Sequence, residues 1–468
     1  MSGKDSDVRP EDTIAAPHMS HGISIREAFR VWVYIAIHSF GGPAGQIAVM
    51  HRVLVEEKRW ISEDRFLHAL NYCMLLPGPE AQQLATYVGW LLHRVRGGLM
   101  AGGLFILPGF LSILALSVLY AKFQQTAAIE ALFYGLKPAI LAIVLEAVFR
   151  IGRRVLKNNV MLGIAILAFV GIFFLGIAFP WIVLSAGVLG LWGGRFYESS
   201  FYVIKPRQTS DNVEEIAFAT DRLQPVARPA AMRSVRTAIT WLTIWLAPLL
   251  VLSAWLGPES VFVQEGWFFS KAAVVTFGGA YSVLAYIAQE AVATFDWLEP
   301  GEMLDGLGMA ETTPGPLIQV VQFVGFMGAF RHAAGIDPVW AGVFGSVVTT
   351  WVTFAPCFLW IFLGAPYIEY LRGKKTLSAA LSAITAAVVG VVLNLALWFA
   401  LHTLFGVVDE SYWHGVRLYI PSWSTLDPVL VAIALFAGFA TFRTRLGMVW
   451  TMAISTLLGM IAFWIMAG

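Results

Sequence analysis

The residues of this 468-residue chain that could do chemistry sit where an apolar sequence has least use for them. Pro77-Gly78-Pro79-Glu80 interrupts a run that is otherwise apolar from Leu67 to Leu92. Pro314-Gly315-Pro316 stands in an equally apolar setting, directly after Glu311, Thr312 and Thr313. Proline and glycine break helices, and a break at membrane depth is tolerated only where it faces protein or a wet cavity. There it exposes backbone N–H groups and the positive end of a half-helix dipole, which suits an anion. Pro79 fits a first helical position, where no N–H is needed, and Thr313 can cap the helix after the second break. "FGGP" at Phe40–Pro43 and "TFGGAYS" at Thr276–Ser282 add Gly41, Gly42, Gly278 and Gly279, which permit close approach of backbone or ligand. Gln82 and Gln319 follow the two breaks, and with Gln83, Gln289 and Gln322 they can donate amide hydrogens to oxyanion oxygens or bond between helices.

Two carboxylates, Glu80 and Glu311, lie beside the breaks, and either could bind and release a proton as access alternates between the two faces of a membrane. The bland alternative is a pair of proline kinks with structural carboxylates. Lys137, Glu146, Lys271 and Glu290 are further charges in apolar runs. Lys137 could offer its charge to an anion, or pair with Glu130 or Glu146. Arg94 and Arg96 follow the first break and read either as cytoplasmic anchors or as an electropositive approach that gathers anions.

The elements that must position these groups are apolar spans. Hydrophobic residues make up 58% of the chain and charged residues 13%, about half the charged share of a soluble protein. Mean hydropathy is +0.71. This excludes a soluble domain with a single anchor. A span needs about 20 mostly apolar residues. Windows of that kind fall at 31–50, 67–92, 99–121, 129–149, 160–178, 180–195, 237–256, 267–290, 303–330, 339–363, 376–405, 428–442 and 447–467, thirteen in all. With the amino terminus inside, Arg94, Arg96, Arg150, Arg153, Arg154, Lys157 and the basic residues of 196–236 fall on the cytoplasmic side, as do Arg372, Lys374, Lys375, Arg443 and Arg445. The outside loops are poor in Lys and Arg: Gly257 to Gly266 carries only Glu259 and Glu265, and Gly406 to Asp427 only Arg417. The segment His51 to Arg65 fits badly, because it would lie outside with four basic residues.

The chain also contains itself. The FGG pair, Trp60 and Trp297, Leu67 and Leu304, Leu70 and Leu307, the PGP pair, and Gln82 and Gln319 are all separated by 237 positions. The FGG-bearing spans are seven crossings apart, and an odd separation means opposite orientation. The expected architecture is therefore all-α: a polytopic membrane protein of about 13 transmembrane helices in two inverted-topology repeats, with discontinuous helices at the FGG and PGP motifs. The expected division is a disordered tail at 1–25, a first repeat at 26–195, a cytoplasmic linker at 196–236, and a second repeat with one extra helix at 237–468. The amino terminus is expected in the cytoplasm and the carboxy terminus in the periplasm.

Cys73 and Cys357 have neither metal-ligand nor disulfide spacing. There is no HExxH, GxSxG or P-loop, and no haem or iron–sulfur spacing, so no enzyme site, metal or cofactor is expected. The basic loops follow membrane orientation and give no sign of nucleic-acid binding. The partners expected are the lipid bilayer, protons and an oxyanion, with a homodimer left open.

The stretches "FGGPAGQIAVMHRVLVEEKRWIS", "LLPGPEAQQLATYVGWLLHRVRGGLMAG", "TFGGAYSVLAYIAQEAV" and "GLGMAETTPGPLIQVVQFVGFMGAF" resemble the chromate ion transporters in their long two-domain form, over nearly the whole chain. The resemblance implies an inner-membrane carrier that exports chromate, driven by the proton-motive force, and so confers resistance. Chromate comes from the resemblance. The spacing by itself points only to an inverted-repeat anion carrier, and leaves sulfate or a related oxyanion as an alternative substrate and an anion channel as an alternative mode. On this reading the oxyanion binds near the midplane between Gly41, Gly42, Gly278, Gly279, Pro77, Gly78, Pro79, Gln82, Thr312, Thr313, Pro314, Gly315, Pro316 and Gln319. Glu80 and Glu311 then serve proton coupling.

Overall fold

In the computed structural model the described residues are 22–74, 76–201, 231–277, 279–299, 301–367, 375–444 and 446–467. The expected tail up to His21, most of the expected linker and Gly278 lie outside them, as do Arg372, Lys374 and Arg445.

The helices of the first half are α1 (Ile25–His38), α2 (Gly42–His51, continued by a π turn to Glu57), α3 (Glu63–Cys73), α4 (Glu80–Phe123), α5 (Ala127–Val155), α6 (Asn159–Phe173), α7 (Phe179–Phe196) and the single turn α8 (Glu198–Phe201). Those of the second half are α9 (Ala231–Leu256), α10 (Val261–Val275), α11 (Ala280–Ala293), α12 (Glu302–Thr312), α13 (Val320–His332), α14 (Pro338–Gly364), α15 (Lys375–Leu404), α16 (Pro428–Arg443) and α17 (Met448–Ala467). Shifted by 237 positions, α1 and α3 coincide with α10 and α12 to within two residues at each end, and the start of α2 falls within one of the start of α11.

Six helices among the described residues are long and apolar enough to cross a membrane. The difference from the thirteen windows lies largely at the motifs. Windows 31–50, 267–290 and 303–330 are each divided by an FGG or PGP break, and 67–92 by the first PGP break. The resulting short helices are too short to cross alone; the fourteen residues of α1 reach only about 21 Å, against a hydrocarbon core of about 30 Å. Two further apolar helices, Asn159–Phe173 and Pro428–Arg443, are also short.

α4 is two arms. His93 (φ −132°) and Arg94 (φ 53°) leave the helical region, and the chain turns back on itself there. Gly89 lies against Gly97 and Ala101, and Gly102 against Thr86, so the arms touch backbone to backbone. In the second half α13 and α14 make the same hairpin, with Gly325 against Gly345 and Thr349. Small residues allow this approach, and helices in lipid associate through such packing. The long arm 95–123 then packs on α14 with Gly98 against the Phe362 ring and Gly102 against Phe358, so these two helices run antiparallel.

The halves interlock. α5 packs against α16 and α17, and α15 packs against α6 and α7. Gly135 meets Gly459 and Ser455 in the first junction, and Gly390 meets Ala165 in the second. The largest core cluster draws on both halves, from Ile113 and Ile140 to Phe323 and Phe399. Large apolar side chains on the outer faces, such as Leu111, Leu167, Trp181, Trp255 and Ile465, are exposed, as lipid-facing residues should be.

The expected all-α plan has one addition. Inside the loop 406–427, β1 (Val408–Trp413) pairs antiparallel with β2 (Val416–Pro421). The two-residue turn His414-Gly415 has positive φ at both positions, 50° and 82°, which matches the right-handed twist of a hairpin. Arg417 fastens this hairpin to the end of α6. Its backbone N–H donates to Phe174 O (2.6 Å), and its guanidinium donates to Ile172 O (2.6 Å) and Phe173 O (3.2 Å). These are carbonyls that a helix end leaves without partners. Arg417→Ala is expected to cost about 1–3 kcal/mol, and to be read as faster proteolytic nicking between 408 and 421 with the transmembrane core intact.

Candidate functional site

The two breaks of each half meet those of the other half. Ser39 closes α1, its hydroxyl donating to Ile35 O (2.6 Å); Thr276, 237 positions on, closes α10 by donating to Ala272 O (2.6 Å). Gly78 N–H donates to Thr276 O (2.7 Å), and Gly315 N–H donates to Ser39 O (3.0 Å). Each PGP turn is thus hydrogen-bonded to the FGG segment of the opposite half, by the same pair of atoms. Gly78 and Gly315 have φ of 119° and 117°, a region that only glycine occupies without strain. The turns also rest on the long helices: Gly315 against Gly109 of α4, and Gly78 against Cys357 of α14.

The donors expected for an anion, the amides that open the helices after Gly42, Gly279, Pro79 and Pro316, take no part in this crossing. The amides of Gly78 and Gly315 are spent between the halves. The helix starts at Gly42 and Gly279 remain beside the breaks, and each faces a carboxylate of the other half. A Cβ placed on Gly279 would stand 3.2 Å from Glu80 Oε1, and one on Gly42 would stand 3.5 Å from Glu311 Oε2. Glu311 is buried, and the Tyr281 hydroxyl of α11 donates to its Oε1. Its Oε2 has no hydrogen-bond partner. Glu80 is half-buried.

The remaining expected residues fall around the crossing. Pro77 and Pro314 are half-buried, Pro79 and Pro316 precede the helices that follow the breaks, and Gly41 is half-buried at the start of α2. Thr313 does not cap the following helix; its hydroxyl turns back to Ala310 O (3.5 Å), as that of Thr312 does to Gly308 O (2.8 Å). Gln319 lies beneath Gly315, and its amide donates to Ile106 O and Gln322 Oε1, both at 3.3 Å. In the first half the glutamine beneath the turn is Gln83, which donates to Pro77 O (2.7 Å), whereas Gln82 donates to Thr86 Oγ1 (3.0 Å). The register therefore slips by one residue after the break. Gln46, which the motif spacing passed over, donates to Gly315 O (2.5 Å).

Arg94 and Arg96 are exposed at the turn of α4, at the far end of a short arm about 20 Å long from Glu80. Arg94 stacks over Trp90 at 5.2 Å. The cations that reach the crossing are others. Arg150 and Arg154, expected in a cytoplasmic loop, belong to the last turns of α5. The charge of Arg150 acts on both Glu80 and Glu311, and that of Arg154 on Glu80. Arg150 also pairs with Glu146 (3.3 Å), and Arg154 donates to Met74 Sδ (2.9 Å).

A second polar cluster lies further along α12, and the motifs did not disclose it. Arg331 holds Glu302 with two bonds of 2.7 Å and donates to Trp297 O (3.0 Å). Tyr120 donates to Asp305 Oδ2 (2.8 Å), and Lys137 Nζ stands 3.5 Å from the same oxygen. Lys137 therefore takes Asp305 as partner, not Glu130 or Glu146. Glu265, expected in an outside loop, is fully buried within α10 against Gly328 and Gly345. The acids at 302 and 305, at the start of an apolar window, were the available signal.

Comparison with known proteins bears on what such a crossing carries. The family model described as "Chromate transporter" matches residues 26–191 and 263–460, two segments that begin 237 residues apart. A chromate transport protein of Cupriavidus metallidurans is 28% identical over 438 residues, covering 93% of this chain and 98% of its own. A chromate transport protein of Pseudomonas aeruginosa is 31% identical over 427 residues, covering 89% of this chain and 92% of its own. An uncharacterized transporter of Bacillus subtilis, YwrA, is 29% identical over 135 residues, covering 28% of this chain and 76% of its own. No solved structure matches.

Proposed function

The chain belongs to the chromate transporter family, and from that premise we propose that it is a secondary carrier that exports chromate from the cytoplasm across the inner membrane, driven by the proton-motive force, and so confers resistance. The observation that carries this reading is the reciprocal hydrogen bonding of the two glycine–proline turns, Gly78 to Thr276 and Gly315 to Ser39. It brings two helix starts and two carboxylates together inside an apolar bundle, within reach of the charge of Arg150. Helix starts and guanidinium groups attract a tetrahedral oxyanion, and carboxylates exchange protons. Relatives named as chromate transport proteins, matched over nearly their whole length, support chromate as the substrate. Sulfate has the same charge and similar shape and is expected to compete.

The halves, 26–195 and 237–468, are read as inverted repeats with about 13 crossings, the short helices completing spans in pairs. The antiparallel packing of 95–123 on α14 and the exchange of equivalent bonds across the centre support inversion. In this arrangement the amino terminus is cytoplasmic and the carboxy terminus periplasmic, and the carrier alternates by moving one set of broken helices against the other. Gly42 and Gly279 lead the helices that face the oxyanion. Gly41, Thr312, Thr313 and Pro314 lie at the accessible edge of the site, and Glu80 and Glu311 couple protons.

The test is flux of labelled chromate into proteoliposomes, with pH gradient and voltage imposed separately. Saturable uphill flux that sulfate inhibits is expected, whereas unsaturable current would favour a channel. In Glu80→Gln and Glu311→Gln the response to an imposed pH gradient is expected to fall. An unchanged response in both variants removes these carboxylates from coupling.

A further inference from the structure

Taking the transport reading as given, we infer that Glu311 is the resident occupant of the α2 helix start, and that an oxyanion dianion takes up this place only as Glu311 accepts a proton. Proton and oxyanion then bind together and cross together.

The geometry limits the choices. With the Gly78 and Gly315 amides bonded between the halves, the site offers an anion the starts of α2, α4 and α11 and the charge of Arg150. The α2 start already faces the Glu311 carboxylate, through Gly42. That carboxylate is 1% exposed, and its Oε2 lacks a partner while Oε1 takes the Tyr281 hydroxyl. The charged and titratable groups that reach it are Tyr281 of α11 and Glu146 and Arg150 of α5. An oxyanion brought to the same helix start meets a like charge that water cannot screen. The unpartnered Oε2 is where a proton can go, and once there it becomes a donor to the incoming oxygen. Glu80 stands in the equivalent relation to Gly279, but the charges of Arg154 and Arg150 both reach it, whereas Arg150 alone of the two reaches Glu311.

The step balances simply. A proton from water binds Glu311 Oε2, the carboxylate loses its charge, and the dianion binds; on the far side both leave. One proton with one dianion moves a net single negative charge. Export is then favoured by a membrane potential negative inside and opposed by a pH gradient acid outside. The coupling is cotransport, not exchange.

The experiment is proton uptake on ligand binding by the purified full chain in detergent, followed with an indicator dye in weak buffer at mildly alkaline pH. Chromate is the probe, with sulfate in parallel as a dianion that does not itself titrate. On the order of one proton taken up per dianion bound is expected, together with affinity that tightens about tenfold per unit fall in pH. Glu311→Gln is expected to abolish the uptake and flatten the pH dependence. Binding by the wild type with no proton change, or with proton release, overturns the inference and leaves the transport reading standing. Uptake that persists in Glu311→Gln overturns the assignment to Glu311. Failure of the wild type to bind either dianion overturns the transport reading and the inference with it. The wild-type measurement stands even if Glu311→Gln does not fold.

Discussion

Gly315→Ala is expected to lower chromate flux at least about tenfold, measured in proteoliposomes at matched protein content. Gly315 has φ 117°, where a side chain costs about 1–3 kcal/mol before any contact is counted. The new Cβ would lie 2.9 Å from Gly109 Cα and 3.1 Å from Gly109 N, backbone atoms of α4 that cannot rotate away. Relief requires the second turn to back off from α4. That motion strains the bond to Ser39 O, the crossing on which the site depends. The mirror substitution Gly78→Ala is expected to be milder. Its φ is as unfavourable, but the Cβ would meet Cys357 Sγ and Gln83 Nε2, both at 2.8 Å, which are side-chain ends that can yield. Wild-type flux in Gly315→Ala, or the reverse order of the two variants, would show that the crossing does not govern transport.

The second large effect concerns stability. Arg331→Ala is expected to cost about 3–5 kcal/mol, read as a lower midpoint of thermal unfolding in detergent. Arg331 gives Glu302 two bonds of 2.7 Å, and the glutamate side chain is only 7% exposed. Removing the guanidinium leaves a buried carboxylate whose remaining bond is from the Glu299 amide (2.7 Å), with the Tyr120 hydroxyl at 3.4 Å. The penalty belongs to the orphaned charge more than to the lost pair, so Glu302→Gln placed on Arg331→Ala is expected to recover part of it. A double-mutant cycle that is additive would mean that the two side chains act independently. Asp305, with Tyr120 and Lys137 on the same oxygen, extends this network toward α4 and α5, so losses here should spread to the junction between the halves.

Much of the plan was legible because it is written in local chemistry. Single prolines such as Pro108, Pro138, Pro248 and Pro356 lie inside helices, but glycine and proline clustered as FGG and PGP break them, so the four breaks could be placed from the motifs alone. Equal spacing exposed their relation, and it carries through to the hydrogen bonds of Ser39 and Thr276. Glu80 and Glu311 were singled out because carboxylates beside breaks are costly in lipid, and both stand at the crossing. Register after the breaks was not legible: Gln83, not Gln82, fills the place that Gln319 fills in the other half. A slip of one residue follows from how the first turn of each helix winds, α-helical after Pro79 and 3₁₀ after Pro316, and the motif is the same for either. Arg150 and Arg154 read as loop charges because the positive-inside pattern marks a side of the membrane and not whether a helix continues through the residues that carry it.

The sequence by itself determined the class of the protein, the positions of its helix breaks, their 237-residue relation and the carboxylates beside them, because hydropathy and backbone freedom are properties of neighbouring residues. Only the tertiary structure decided that each PGP turn bonds to the FGG segment of the opposite half, that those bonds use up the Gly78 and Gly315 amides, and that Lys137 belongs to Asp305. Identical donors and acceptors occur in both halves, so local chemistry cannot choose between pairing within a half and pairing across. The choice is made by the close packing of glycine-lined helices, α4 on α14 and α5 on α17, which sets distant segments side by side.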